Sequence, residues 1–342
     1  MNEDAFAQHV GRSHLVPLWN VMRGMLPAQP RPAAQVHHWP RKAWHEPLEA
    51  SAVLVTAEEA ERRVLLLENP AFVGESRAAG TLHAGLQLLM PGETAPPHRH
   101  SQAALRFVIE GSGASTAVNG ERQDMLPGDF ILTPAFTWHE HANPGGEPMV
   151  WLDGLDLPLV RLLGSTFAQF PGAPDPFADT GTCTALPGMA QALLPPRQTE
   201  HARLCSKMRY PYKDARAALD WLRAAGKVDA AYGLRLHYAD PASGGHAMPT
   251  MAAYLQLLPA GFKGRPYQST ESFVFYAVEG AGRTVTRDAD GAKRTLDWAR
   301  GDLFVLPGWV EHSHSSTEDA VLFSFSDAAA QQALGLWRER RH

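Results

Sequence analysis

The chain has 342 residues, 44% apolar and 20% charged, which is enough for two packed domains. A formal charge of −5 and a pI near 6.3 exclude the dense basic surface that nucleic acid or anionic lipid requires. Two cysteines (Cys183 and Cys205), an acidic start without a signal pattern and no apolar run near the ~18 residues of a spanning helix set the expectation of a soluble, reduced, cytoplasmic protein.

Residues 1–62 read as an arm. Leu15, Leu18, Trp19 and Met22 make a short amphipathic start, and the run from Pro27 to Pro40 prevents one long helix, because each proline removes a donor and restricts its predecessor. Thr56-Ala57-Glu58-Glu59 is a capping box that predicts a short helix through Arg62. Val64 to Leu67 reads as a strand ended by Asn69-Pro70. From Thr81 the pattern is short strands over 81–90, 98–110, 114–118, 130–133, 139–142 and 149–153. The turns are Pro91-Gly92, Asn119-Gly120, Pro127-Gly128 and Pro144-Gly145-Gly146. Such punctuation predicts an all-β fold with a closed or double sheet.

Residues 161–230 change character. Pro171 to Pro176 and Pro195-Pro196 are breaks, and Asp214 to Ala225 predicts a helix stopped by Gly226. This region is expected to be a partly helical connector packed between two barrels. The last third repeats the first barrel. Thr250 to Gly261 aligns on Thr81 to Gly92 at an offset of 169 residues, and Glu279-Gly280 aligns on Glu110-Gly111 at the same offset. After a four-residue insertion, Gly301, Pro307 and His312 align on Gly128, Pro134 and His139. The expected units are the arm 1–62, a first barrel 63–160, the connector 161–230 and a second barrel 231–342.

The chemistry concentrates in Pro97-His98-Arg99-His100 and Trp138-His139-Glu140-His141. His98 and His100 point the same way on a strand, and a third imidazole from a neighbouring strand completes one face of a coordination sphere. The run Gly92…His98-x-His100…Gly111, followed by Gly128…Pro134…His139…Asn143, resembles the two motifs of the cupin superfamily, metal-holding β-barrels of jelly-roll type. The duplication then makes this a bicupin. One lone histidine is more often a surface or core residue, but three at both spacings favour a metal centre. The superfamily's usual glutamate is Ala104 here, so the ligands are three neutral histidines. A divalent metal in that set keeps its full charge and favours a dianionic chelator, such as a phenolate beside a carboxylate on an aromatic ring. In the second barrel Tyr267 and Ser269 replace the histidine pair; His312 remains, with His314 nearby, which reads as a decayed site.

Several segments together carry a closer resemblance. They are His98 to Gln102, Leu105 to Gly111, Pro127 to Ile131, Trp138 to His141, Trp151 to Asp156, Glu61 to Val64 and Gly244 to Thr250. Over nearly the whole chain they resemble the gentisate 1,2-dioxygenases, a family that includes salicylate and 1-hydroxy-2-naphthoate dioxygenases. The resemblance implies one Fe(II) per subunit, held by His98, His100 and His139, commonly in a homotetramer. It implies O₂-dependent opening of a small aromatic hydroxy acid between the carboxyl-bearing and adjacent hydroxyl-bearing carbons, gentisate giving maleylpyruvate.

The residues suggest the surrounding roles. On a regular strand Arg106 shares parity with His98 and His100, inside an apolar run that ill suits an exposed arginine, and a guanidinium there can clamp a carboxylate. His141 shares parity with His139, as a hydrogen-bond donor or proton shuttle. Trp151 and Asp153 share a face, as a packing wall and a supporting acceptor. Gln87 and His83 lie on the entering strand, and His83 stands where the family is expected to carry a larger aromatic. Arg62 is a second, weaker candidate for the carboxylate. Two other classes fit less well. An isomerase-type metal cupin generally keeps the carboxylate ligand, and a storage or sensor bicupin would typically lose both metal sites.

Overall fold

The computed structural model describes residues 2–173, 207–288 and 291–342; the expected breaks at Pro174 to Pro176 and Pro195-Pro196, and both cysteines, lie outside them. Two barrels are each built from a six-stranded and a five-stranded sheet. In the first, the six-stranded sheet runs Arg209–Tyr210, Phe130–Thr133, Ala104–Glu110, Met149–Leu155, His83–Leu89, Arg63–Leu66. It faces Ala168–Gln169, Thr94–His100, His139–Ala142, Ser115–Val118 and Glu121–Asp124. The second repeats that order with His37–Trp39, Leu303–Leu306, Phe273–Glu279, Ala320–Ser326, Ala252–Leu258 and Leu234–His237. This is the bicupin fold with N-terminal helices.

The large sheets are covered on both faces, which is why their strands read as almost unbroken apolar runs. Phe107, Phe130, Leu132 and Leu152 point outward into a core that continues to Phe323 and Phe325 of the other barrel. Val108, Ile131, Met149 and Trp151 point into their own barrel. At the seam Phe107 stacks on Phe323 with centroids 4.1 Å apart. Gly154 makes room there, since a Cβ at that position would lie 2.7 Å from the Phe325 ring. A reciprocal pair of hydrogen bonds closes the seam: Thr81 donates to Asp327 at 2.5 Å and Thr250 donates to Asp156 at 2.6 Å.

The arm and the connector are two copies of one device. His37–Trp39 extends the second barrel's large sheet, and the helix Arg41–Leu54 then packs on the first barrel. Arg209–Tyr210 extends the first barrel's sheet, and the helix Tyr212–Ala224 packs on the second. Their contacts correspond. His38 and the Arg41 amide meet Asp302 at 3.0 and 2.7 Å, while Arg209 and the Tyr212 amide meet Asp129 at 2.7 and 2.9 Å. Arg41 and His45 hold Glu110; Tyr212 and Arg216 hold Glu279. Leu48 and Leu219, the equivalent core anchors of the helices, are 1% and 0% exposed. The duplication therefore includes the arms.

Two local expectations are corrected, and two elements appear that none foresaw. The stretch 98–110 is two strands in different sheets, Thr94–His100 and Ala104–Glu110, because the chain turns a corner at Ser101 to Ala103. The capping box at Thr56 is present, but its helix ends at Ala60, with Glu61 at φ +52° leaving Arg62 outside it. The charged strand Glu121–Asp124 and the Pro47-containing helix Arg41–Leu54 were not expected. No described helix is long and apolar enough to cross a membrane.

Candidate metal centre

His98 and His100 lie on Thr94–His100, and His139 opens the neighbouring strand directly opposite His98. One ligand nitrogen from each converges within 4.8 Å of the others. Among the described residues no other group of three or more His, Cys, Asp or Glu side chains converges in this way. His100 Nδ1 donates to the Gln102 carbonyl at 2.8 Å and His139 Nδ1 to the Thr137 carbonyl at 3.0 Å. Those bonds fix the tautomer and turn each Nε2 lone pair toward the cavity. His139 Nε2 is buried without a partner. His98 differs, for its Nδ1 lies 2.6 Å from Arg62 Nη2, which also donates to the Pro96 carbonyl at 2.9 Å.

Burial, foremost, and the guanidinium charges nearby pull His98 down to about 3 and His100 down to about 4. His139 and His141 are lowered for the same reasons. The imidazoles are neutral at physiological pH, the form that ligates. Three converging neutral imidazoles, one of them an orphaned buried acceptor, fit a borderline divalent cation. The triad can hold a metal ion.

Around it the first barrel's interior is polar and unsaturated. Arg106, 4% exposed, stands opposite Asp153 and donates from Nη1 to Thr133. Its Nε lies 3.4 Å from Asp153 Oδ1, an ion-pair contact misaligned for a hydrogen bond. Burial pushes the Asp153 carboxyl up to about 6 against the pull of Arg106. Six buried atoms here have no hydrogen-bond partner: Gln87 Nε2, Arg106 Nε, His139 Nε2, His141 Nδ1, Trp151 Nε1 and Asp153 Oδ1. Gln87 pairs opposite Trp151 in the sheet, and the His141 ring sits 5.3 Å from Trp151 and 6.0 Å from His139. Unpaired buried polar groups cost free energy unless something bonds them, so this cluster marks a ligand cavity. His83 shares its strand face with Gln87 but already bonds the Ser76 carbonyl at 2.8 Å.

Arg106 reaches this cluster by a route other than strand parity, since the corner at Ser101 to Ala103 resets the alternation; its pairing with Asp153 aims it inward. Two neighbours were missed. Thr133 anchors Arg106, and Phe170 stacks beside His98 with centroids 6.3 Å apart. Phe170 follows Ala168–Gln169, which pairs with the His98–His100 strand, and no spacing in the sequence signals that return. In the second barrel the corresponding positions hold Tyr267, Ser269, His312, His314 and Phe275, the last in place of Arg106.

Fold and site together define a bicupin with a histidine triad able to hold a metal ion, and the family model for the cupin domain matches residues 85–155. The chain is 42% identical to gentisate 1,2 dioxygenase 1 of Aquipseudomonas alcaligenes, over 96% of this chain and 93% of that one. It is 34% identical to the 5-aminosalicylate 1,2-dioxygenase of a Comamonas species, over 99% and 90% respectively. A solved structure of salicylate 1,2-dioxygenase from Pseudoaminobacter salicylatoxidans with gentisate superposes with a TM-score of 0.84 at 32% identity, covering 99% of this chain and 93% of that one. The chain belongs to the gentisate 1,2-dioxygenase family of ring-cleaving 1,2-dioxygenases.

Proposed function

We propose that this enzyme holds Fe(II) on His98, His100 and His139 and inserts both atoms of O₂ into a 2-hydroxybenzoate-type ring, with gentisate giving maleylpyruvate as the leading reaction. The observation that carries this is the set of five unpartnered buried atoms beside three neutral imidazoles, one of which, His139, has an unpartnered Nε2 itself. Fe(II) in an open three-histidine set supplies the electron chemistry that lets O₂ react with a closed-shell ring. The relatives named for gentisate and 5-aminosalicylate support the substrate class, and salicylate, a 5-nitro- or 5-aminosalicylate or 1-hydroxy-2-naphthoate is the second reading.

The protein's part is orientation and charge. Arg106 Nε has no hydrogen-bond partner and is turned to take the substrate carboxylate, while Thr133 holds Nη1. Asp153 is the one carboxylate among the groups described around the cavity, against the cations of Arg62 and Arg106, so the site favours a dianionic substrate. Arg62 only donates, and an imidazole ligating through Nε2 keeps its proton on Nδ1. A metal held on His98 Nε2 would therefore displace Arg62 from His98 and leave it available to the same carboxylate. His141 Nδ1 stands ready to bond or move a proton at the ring oxygens, Gln87 Nε2 to donate a hydrogen bond there, and Trp151 walls the cavity. His83 is the residue proposed to meet a ring substituent. A homotetramer is the proposed assembly, and the exposed Leu18, Trp19 and Met25 of the helix Leu18–Met25 offer it a contact.

The test is oxygen uptake by anaerobically Fe(II)-reconstituted protein with gentisate, salicylate, 5-substituted salicylates and 1-hydroxy-2-naphthoate in parallel, each product being weighed by mass spectrometry. Uptake with a product heavier by two oxygen atoms is expected, and His139→Ala should lose bound iron and turnover together. Full iron occupancy with no uptake on any substrate would refute the reaction.

A further inference from the structure

Two imidazoles of the candidate centre are held from behind through a peptide group. His100 Nδ1 donates to the Gln102 carbonyl at 2.8 Å. The other end of that same peptide unit, the Ala103 N–H, donates to Asp156 Oδ1 at 2.9 Å. Because a peptide is planar, a grip on its N–H fixes the direction of its C=O. The grip also polarises that carbonyl, since hydrogen bonds in a chain strengthen one another at low dielectric. Asp156 is thus joined to His100 through one peptide, where many metal centres join a carboxylate to the imidazole directly. His139 has a neutral version of this relay. Its Nδ1 donates to the Thr137 carbonyl at 3.0 Å, and the following amide, Trp138 N–H, donates to the Asn119 side-chain oxygen at 3.0 Å. At His100 the far end of the relay is an acid.

That acid is fixed by the other barrel. Asp156 is 3% exposed, and its second oxygen accepts from the Thr250 hydroxyl at 2.6 Å. Burial pushes its pKa up while Thr250 and Ala103 pull it back, and with both oxygens accepting the carboxylate form fits. A negative charge therefore reaches the edge of a ligand set that is itself three neutral imidazoles. The second repeat keeps the tie without the imidazole. Ser272 N–H donates to Asp327 at 2.9 Å, and Asp327 accepts from Thr81 of the first barrel at 2.5 Å. The residue at the His100 position there is Ser269, which has no ring to steady.

We propose that Asp156 is a positioning residue for the metal ligand His100, acting through the Gln102–Ala103 peptide, and that Thr250 makes the second barrel part of the metal centre's support. This role rests on the reading of His98, His100 and His139 as metal ligands, and not on the ring-cleavage chemistry.

Co(II) titration of the metal-free full-length protein, followed by absorption, tests it beside urea unfolding of the same variants. Asp156→Asn keeps the shape, since an amide can accept from Ala103 and donate to Thr250, but it removes the charge. It should weaken Co(II) binding about tenfold, the lower end of the effect of losing an outer-sphere partner. Thr250→Val, one bond further away, should weaken it about threefold, and Thr250→Ser should restore it. Asp327→Asn and Thr81→Val alter the equivalent seam bonds, so they should lower the urea midpoint by similar amounts yet leave Co(II) affinity unchanged. Wild-type Co(II) affinity in Asp156→Asn, or equal losses in Asp156→Asn and Asp327→Asn, overturns the relay and leaves the triad standing. A wild-type chain that binds no Co(II) overturns triad and relay together. The comparison of Thr250→Val with Thr81→Val keeps the test decisive if the buried acid cannot be changed without loss of the fold.

Discussion

Arg106 is a guanidinium that the fold buries without fully satisfying. Its Nε faces the cavity unbonded while Thr133 fixes the other end, so its contribution appears when a carboxylate arrives. Charged hydrogen bonds of this kind are worth roughly 1.5–3 kcal/mol, so Arg106→Ala should lower kcat/KM about tenfold to a hundredfold, mainly through KM, in steady-state oxygen uptake. Arg106→Lys should recover only part of it, since an ammonium cannot offer two parallel donors. The buried histidines make a second prediction. His100 and His312 fall from 6.5 to about 4 on folding, so between those values the unfolded chain binds protons that the folded one refuses. Their stability is full above pH 6.5 and is lost as pH falls toward 4. Asp153 works the other way between 3.8 and about 6, but it is one group against several. Melting temperatures of the metal-free protein should drop from pH 7 to 4.5, and His312→Gln should flatten that slope.

At the scale of elements, the crossed helices are the feature to test. Leu48 and Leu219 anchor equivalent helices, each in the core shared by both barrels. Leu48→Ala and Leu219→Ala should each cost ~2–5 kcal/mol in urea unfolding, by similar amounts. Strands with apolar runs and Gly or Pro punctuation, such as Phe130–Thr133 and Met149–Leu155, were legible because period and turn chemistry are local. So was the triad, whose three histidines sit at fixed distances from turn glycines. What local signals missed was decided by tertiary partners. Glu121–Asp124 is a strand because it pairs with Ser115–Val118, despite its charges. Arg41–Leu54 is a helix despite Pro47 because Trp44 and Leu48 have a core to enter. The corner at Ser101 to Ala103 put Arg106 on another sheet, and counting residues could not reveal it.

For the whole molecule, the seam is apolar, continuous and made of both barrels, with Phe107 on Phe323 at its centre. Phe323→Ala should cost about 3–5 kcal/mol and lower one calorimetric transition, since neither barrel keeps a complete core alone. Two separated transitions in the wild-type protein would show that the barrels unfold independently.

The exchanged arms have a historical consequence. A lone ancestral half, carrying one arm and one barrel, would own a strand with nothing to extend and a sheet edge with nothing beside it, at Phe130–Thr133. Two identical halves satisfy both needs by trading arms, which is the geometry of a strand-swapped homodimer. The present polypeptide has the form of such a dimer joined end to end. Within one chain the partner is permanent, and the two halves differ: the first carries His98, His100 and His139 where the second carries Tyr267, Ser269 and His312.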